Sequence, residues 1–175
     1  RNRFISVTET SFVVMPDQKT IIGARNKDED DKILIMEDLC DENSFCEINE
    51  HEDNISTISF NENTNTLFVG DFNTAIQYKC DNEYRNWKII KKYSRLAIGA
   101  VYSSVIIGDL VIVGGGASYN YLLRVIDGDK MKVIVEPFYT AIKEIYSLQV
   151  CKLRDEKLDK DKFLLAVTGE GSDYL

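Results

Sequence analysis

A short apolar run that ends in glycine recurs four times along the chain. The glycines are Gly23, Gly70, Gly114 and Gly169, and successive ones lie 44 to 55 residues apart. Between them, apolar and β-branched runs alternate with clusters of Asn, Asp and Gly, a pattern typical of short strands joined by turns. The repeat restricts the chain to architectures built from a regularly recurring sheet, and it predicts an all-β fold without long helices.

About four such runs fill each repeat. We predict strands over 11–15, 20–24, 32–37, 45–48, 55–60, 66–70, 75–79, 87–91, 100–107, 110–114, 122–126, 132–135, 142–152 and 163–169. Four-stranded repeats of about 40 to 50 residues are typical of β-propeller blades, in which each sheet buries both faces against its neighbours. We therefore expect four-stranded antiparallel blades over 1–48, 49–94 and 95–138, with an incomplete blade over 139–175.

This blade number also predicts an incomplete ring. Three and a half blades do not close a propeller of about four to eight blades, and an open array leaves an apolar face and strand edges uncovered. We therefore expect the remaining blades to come from more of the same polypeptide or from a partner. The longest interval between glycines has a local explanation, since the charged run over 153–162 is predicted to be a loop inserted into a hairpin.

The second repeat has a distinctive pattern around the single histidine. His51 precedes the predicted first strand, an aliphatic pair and an aromatic follow within 55–60, and the second strand closes at Gly70. In this pattern the repeat resembles those of the WD-repeat β-propellers, and the other repeats match that family by their period. The resemblance implies a non-catalytic display of protein-binding surfaces, and it puts Asn73 where the family has a turn aspartate.

The sequence also departs from that family. The third strands close as Met36-Glu37, Lys79-Cys80 and Ile126-Asp127, without the Trp-Asp pair that names the family. In WD repeats a serine or threonine, the turn aspartate, the histidine and the tryptophan form a hydrogen-bonded tetrad, and here Val69 and Lys79 are expected to break it. The triple glycine at 114–116 and Trp87 resemble features of kelch repeats, so a kelch-type interaction propeller is an alternative.

Charge is distributed unevenly along the chain. The sequence has 29 acidic and 21 basic residues, a net charge of −8, which disfavours a phosphate backbone as partner, so no nucleic acid is expected. Residues 33–78 contain ten acids and no Lys or Arg, whereas 79–95 contain six bases and two acids. Opposite fields on one repeat favour the steering of a complementary protein. The alternative is an ordinary solvated surface.

The basic segment also contains aromatic residues, which concentrate binding energy at protein interfaces. The predicted partner-binding residues are Tyr84, Arg85, Trp87, Lys88, Lys91, Lys92 and Tyr93. Trp87 has the alternative role of packing between blades. We therefore expect protein partners and a non-catalytic scaffold within a larger intracellular assembly.

Catalytic and metal-binding patterns are not found. A Ser-His-Asp triad or a multi-histidine metal site would have to include His51, whose place at the start of a repeat favours a structural role. The glycines at 114–116 lack the helix and lysine of a phosphate loop and are interpreted as a turn. Acidic clusters at 28–31 and 155–161 lack the spacing of a calcium loop and are interpreted as solvated loops.

These observations predict no enzyme activity, no cofactor and no metal. The competing hypothesis is a propeller that binds a small ligand or a metal, either with or without enzymatic activity. Its candidate ligand-binding carboxylates include Asp71 and Asp173. Melting temperature with and without divalent cations separates the two hypotheses, because a ligand that binds the folded state raises its stability.

Cysteine spacing and apolar runs predict the compartment. Cys40, Cys46, Cys80 and Cys151 form neither a Cys-x-x-Cys pair nor the dense set of a disulfide-stapled secreted domain. We therefore expect reduced thiols and a cytoplasmic location, with cytoskeletal association as one option. The longest apolar stretch, 105–117, is shorter than the roughly 20 residues that cross a bilayer, so no membrane insertion is expected.

Overall fold

The described part of the chain consists of strands and their turns. The computed structural model describes residues 12–18, 21–25, 32–36, 45–48, 50–51, 54–71, 74–84, 86–94, 100–108, 110–116, 122–127, 132–139, 142–155 and 160–171. The strands are β1 Phe12–Val14, β2 Ile21–Arg25, β3 Lys32–Met36, β4 Phe45–Ile48, β5 Ile55–Asn61, β6 Thr66–Asp71, β7 Thr74–Lys79, β8 Lys88–Ser94, β9 Ala100–Ile107, β10 Leu110–Gly116, β11 Leu122–Asp127, β12 Lys132–Tyr139, β13 Ile142–Asp155 and β14 Lys160–Gly171. The all-β prediction is confirmed, and within these ranges no helix is present that could span a membrane.

The strands form antiparallel sheets in chain order. β1–β4 and β5–β8 are four-stranded meanders in which each strand pairs with the next. β9–β12 form a third meander, and the hairpin β13–β14 joins its sheet through the single pair Gly116 and Glu144. The chain divides into two compact units, Arg1–Leu96 and Ala97–Leu175, each with a core of its own.

In the first unit, the sheet β5–β8 packs against β1–β4. The shared core consists of Met15, Ile22, Ile55, Ile58, Leu67, Val69, Ile76 and Tyr78. β6 is buried on both faces along its whole length. A sheet with one wet face alternates between apolar and polar residues, so complete burial marks β6 as a central strand of a sheet that is covered on both sides.

In the second unit, the hairpin β13–β14 lies against β9 and β10. Ile112 of β10 packs on Ile145 and Leu148 of β13, and the side chains of Val105, Ile107, Leu165 and Val167 surround them. The backbone amide of Leu148 also donates to Ser103 Oγ at 2.9 Å. β13 thus contacts the first and second strands of the preceding meander, as β5 contacts β1 and β2 in the first unit.

Gly114 permits this close approach of the hairpin. A Cβ atom at this position would lie 2.4 Å from Ile145 Cγ2 and 3.0 Å from Ile145 Cβ, closer than real Cβ atoms come to their neighbours. Gly114, the recurring glycine of the third repeat, therefore allows β10 and β13 to pack closely.

Two predictions about loops are wrong. The glycines at 114–116 lie inside β10, because this strand continues to Gly116 instead of ending at Gly114. The charged run over 153–162 is strand at both ends, since β13 continues to Asp155 and β14 begins at Lys160, while residues 156–159 lie outside the described ranges. The backbone register sets Arg154 opposite Asp161 and Asp155 opposite Lys160, so the strand pairing extends beyond the predicted ends of both strands.

The Gly114→Ala variant tests the close approach. We expect it to lower the free energy of unfolding by about 1 to 3 kcal/mol, because the new methyl group displaces Ile145 from a packed core. Urea denaturation followed by circular dichroism measures the change.

Gly23→Ala is the matched control. A Cβ at Gly23 would lie 3.8 Å from Phe12 Cβ, which is an ordinary contact, so this variant should change stability little. Equal losses in the two variants would contradict the packing role assigned to Gly114.

Candidate functional site

The single histidine is part of a buried polar network in the second meander. His51 lies just before β5, and its side chain is buried. Its Nδ1 atom lies 3.1 Å from Asp71 Oδ2, at the end of β6, and its Nε2 atom lies 3.1 Å from the hydroxyl of Tyr78 on β7. One imidazole thereby connects the segment that enters the sheet to its two central strands.

Asp71 is the acceptor at one end of this network. The residue is fully buried, and its carboxylate accepts hydrogen bonds from the backbone amide and the hydroxyl of Thr74, the first residue of β7, as well as from His51. A buried carboxylate needs such donors, because transferring an unpaired charge from water to a protein interior is costly. Asp71 thus connects the end of β6 to the start of β7.

The chemistry of the partners fixes the proton positions. A carboxylate only accepts hydrogen bonds, so the proton of His51 lies on Nδ1 and points to Asp71. In this tautomer Nε2 is the acceptor, and Tyr78 donates its hydroxyl proton to it. Burial, and then the nearby charges of Glu50 and Asp71, raise the pKa of Tyr78 well above its ordinary value, which keeps that proton in place.

The network is closed to solvent and to ligands. Both ring nitrogens of His51 have partners, and the Tyr78 side chain is almost completely buried. A nucleophile or general base must reach a substrate, and this one cannot. The expectation of a ligand-binding carboxylate fails for Asp71, since its oxygens are engaged internally, while Asp173 lies outside the described residues. Within the described ranges, no three His, Cys, Asp or Glu side chains are grouped as metal ligands.

The observed network differs from the tetrad that the family resemblance implies. The turn aspartate is Asp71, two residues before the predicted Asn73, which lies outside the described residues. Val69 and Lys79 are not members, because the hydroxyl of Tyr78 reaches the histidine directly. Tyr78 thus supplies the aromatic ring of the third strand, and its hydroxyl group also donates the hydrogen bond to His51.

The predicted partner-binding surface is centred on β8, an edge strand. Residues 88–92 are all exposed, and they comprise three lysines and the pair Ile89 and Ile90, which are 43% and 48% exposed. The pairing with β7 shifts register between Gln77 and Tyr78, so Ile90 is the additional residue of a bulge. β8 therefore presents cationic and aliphatic groups side by side.

The predicted aromatic anchors differ in exposure from the lysines. Tyr84 and Trp87 are half-buried and pack against the shared core of the first unit. The indole nitrogen of Trp87 donates to the carbonyl oxygen of Tyr84 at 2.9 Å, and the Tyr84 ring meets Phe60 edge-on at 5.8 Å. Tyr93 pairs with Ala75 in the backbone register, and Arg85 lies outside the described residues.

Two cysteine side chains are described, and both are free thiols. Cys80 is buried, and burial together with the charge of Asp81 raises its pKa to about 11, so the thiol is protonated and unreactive near neutral pH. Cys151 is exposed on β13. Neither forms a disulfide.

Comparison with known proteins identifies the fold. No protein-family model and no curated protein matches the sequence. Among solved structures, the chain is similar to the β-propeller domain of Cps50 (Swd1) from Myceliophteria thermophila, with a TM-score of 0.63 at 10% sequence identity. The match covers 89% of this chain and 53% of that one, so the chain spans about half the length of the solved domain. The predicted propeller fold of antiparallel sheets is confirmed.

Tyr78→Phe tests the network. We expect a loss of about 1 to 3 kcal/mol at neutral pH, because a buried ring nitrogen of His51 loses its donor. In the wild type, the folded state keeps the Tyr78 proton after the unfolded chain loses it, so stability falls as pH rises above about 10. Urea denaturation between neutral and alkaline pH should show a shallower fall in the variant.

Tyr146→Phe is the control at neutral pH. Tyr146 is half exposed, and its hydroxyl donates to Glu144 at the surface, so its removal should cost less than about 0.5 kcal/mol. The network loses its assigned importance if the two variants are equally stable, or if Tyr78→Phe leaves the alkaline fall unchanged.

Proposed function

We propose that this chain is a segment of a WD-repeat-type propeller that acts as a non-catalytic protein-interaction scaffold in a larger intracellular assembly. The pairing of His51 with Asp71 supports the repeat type, because it joins the entry to the first strand with the turn after the second. The proposal includes a cytoplasmic location, which rests on cysteine spacing. The β-propeller fold of the solved neighbour supports a scaffold by analogy of fold alone.

The observation that carries the proposal is the exposed basic and aliphatic edge at β8. Lys88, Lys91 and Lys92 all reach solvent, with Ile89 and Ile90 exposed between them. Lysines on an edge strand disfavour the addition of another strand and repel basic ones. The adjacent isoleucines add apolar area that a partner can bury, so the surface fits an acidic segment that also carries aliphatic residues.

The buried network around His51 supports a structural role for this histidine and not a catalytic one. The only imidazole in the sequence is committed to Asp71 and Tyr78, where it stabilises the sheet. Scaffold propellers need such rigidity, since they display binding residues at fixed positions. Half-buried Tyr84 and Trp87 then act by supporting the backbone next to β8, and the lysines contact the partner.

Peptide binding tests the β8 surface. The probe is a fluorescein-labelled peptide of about ten alternating Glu and Val residues, with the Lys and Val counterpart as reference. We expect fluorescence anisotropy to show preference for the acidic peptide, and Lys91→Glu to weaken binding about fivefold at low salt, because one attraction becomes a repulsion. High salt should reduce the difference.

Lys152→Glu provides a control of equal charge change. Lys152 is an exposed lysine of β13, outside the β8 surface, and its reversal should alter the affinity by less than about twofold. The β8 surface is refuted if both reversals weaken binding equally, or if the basic peptide binds as well as the acidic one.

Divalent cations test the competing metal-binding hypothesis. After treatment with EDTA, we expect Ca²⁺, Mg²⁺ and Zn²⁺ to leave the melting temperature unchanged, because the buried carboxylate of Asp71 is already satisfied by protein donors. Differential scanning fluorimetry provides the measurement. A saturable rise with one cation would favour the ligand-binding propeller.

A further inference from the structure

The first strands of three successive repeats have a β-bulge at the same place. The pairing registers leave one additional residue in each strand, which is Ser56 in β5, Tyr102 in β9 and Tyr146 in β13. These residues lie 46 and 44 residues apart, and each follows a buried aliphatic residue. Bulges re-aim side chains and are frequent beside binding sites. The recurrence indicates that the bulge is a constant feature of these repeats.

The side chain at the bulge is accessible in each of the three repeats. Ser56 and Tyr102 lie in repeats that are followed by further strands of the chain, and both are half-buried. Tyr146, in the last described repeat, is 50% exposed. Accessibility at this position is therefore not confined to the last repeat.

In the second unit, two of these bulges bring a pair of tyrosines together beside a glutamate. The ring centroids of Tyr102 and Tyr146 lie 5.6 Å apart, with their planes inclined by 58°. The hydroxyl of Tyr146 donates to Glu144 Oε2 at 2.6 Å. Burial, and then the charge of Glu144, raise the pKa of Tyr102, so this carboxylate lies near both tyrosines.

The glutamate lacks a cationic partner. The backbone register sets Glu170 opposite Glu144, and like charges in that position are destabilising. The hydroxyl of Tyr146 also lies 3.3 Å from Glu170 Oε2, but it has only one proton to share between the two carboxylates. In the part of the chain that the structure describes, neither glutamate forms an ion pair with Lys, Arg or His. An added cation would relieve this repulsion.

We propose that Tyr102, Tyr146 and Glu144 bind the side chain of an arginine from a protein partner. The proposal rests on the scaffold role proposed above and adds a second surface to it. This surface is acidic and aromatic, whereas the β8 surface is basic and aliphatic, so the two fit segments of opposite charge.

A guanidinium group matches each component of this surface. It is planar and carries a delocalised charge, so it stacks on a tyrosine ring and gains a cation–π attraction. Its fork of N–H donors bonds a carboxylate in bidentate fashion. A lysine ammonium is a compact, strongly hydrated charge that cannot stack in this way, and an uncharged side chain gains neither attraction.

Titration with Nα-acetyl-arginine amide tests the site in the full chain, with NMR detection of isotope-labelled tyrosine rings. We expect the signals of Tyr102 and Tyr146 to shift saturably, with a dissociation constant on the order of 1 mM, because a single exposed side chain buries little area. The lysine derivative should bind about threefold more weakly, and the uncharged citrulline derivative should not saturate. Equal binding of all three compounds, or shifts that do not include these two tyrosines, overturns the proposal.

Variants at Tyr146 separate the ring from its hydroxyl. Tyr146→Leu removes the aromatic face and should weaken arginine binding about threefold. Tyr146→Phe keeps the ring, so its affinity should stay within about twofold of the wild type. A leucine variant that binds as tightly as the wild type, or a phenylalanine variant as weak as the leucine one, rejects the assigned role of the ring.

The carboxylate has a matched pair of variants. Glu144→Gln should weaken arginine binding about threefold, since it removes the charge and keeps the shape. Glu62→Gln makes the same change at an exposed glutamate of the first unit and should leave the affinity unchanged. Equal effects of the two variants contradict the role of Glu144. Circular dichroism verifies that each variant is folded, and Glu144→Gln and Tyr146→Phe decide the result if Tyr146→Leu is unstable.

One exchange of probes distinguishes this proposal from the one for β8. Lys91→Glu should bind the arginine derivative as the wild type does, and Tyr146→Leu should still bind the acidic peptide at β8. Loss of arginine binding in Lys91→Glu contradicts the assignment of the site to the tyrosine pair.

Discussion

The burial of one sheet face against the next is the interaction on which the described structure depends. Leu67 and Val69 of β6 reach the core shared with Ile22 of the first sheet, and β6 has no exposed residue. Full burial of an aliphatic side chain contributes about 1.5 to 3 kcal/mol, whereas an isolated hairpin is marginal in water. Each sheet of the first unit therefore gains stability from its neighbour.

A polar network inside this apolar packing defines how the strands join. The face-to-face contact alone is non-directional, because apolar burial depends on area. The hydrogen bonds of His51 to Asp71 and Tyr78 are directional, and they connect three consecutive segments of one sheet. Satisfied networks of this kind specify a unique arrangement, and here the arrangement has no opening for a substrate. The exposed residues of β8 can meet another protein.

The strands could be predicted from the sequence, because the pattern that marks each strand lies within a few consecutive residues. Runs of apolar and β-branched residues separated by turn-formers predict each strand, and the fold follows from their period. The acid of the network was missed, because family spacing favoured Asn73 over Asp71, which lies two residues earlier in the sequence. The sequence did contain a pattern that could have predicted the role of Tyr78 in the network. It alternates with Ile76 on the core side of β7, and a buried tyrosine needs a polar partner.

Other features were beyond the sequence because they depend on contacts between distant residues. The glycines at 114–116 look like a turn until β13 is placed on β10, and Gly114 and Ile145 are far apart along the chain. The charged residues after Leu153 look like a loop until the backbone pairing of β13 with β14 is known. Local pattern predicts the elements, but the closest approaches between them require the structure.

Residue-resolved amide hydrogen exchange, measured by NMR, is the most direct test of the central claim that β6 is enclosed by sheet packing and fixed by the histidine network. The amides of Leu67, Phe68 and Val69 should exchange through global unfolding and be the slowest in the first unit, well behind those of the β8 edge. If these amides exchange as fast as those of Ile89 and Ile90, β6 is not enclosed and this account of the fold is wrong.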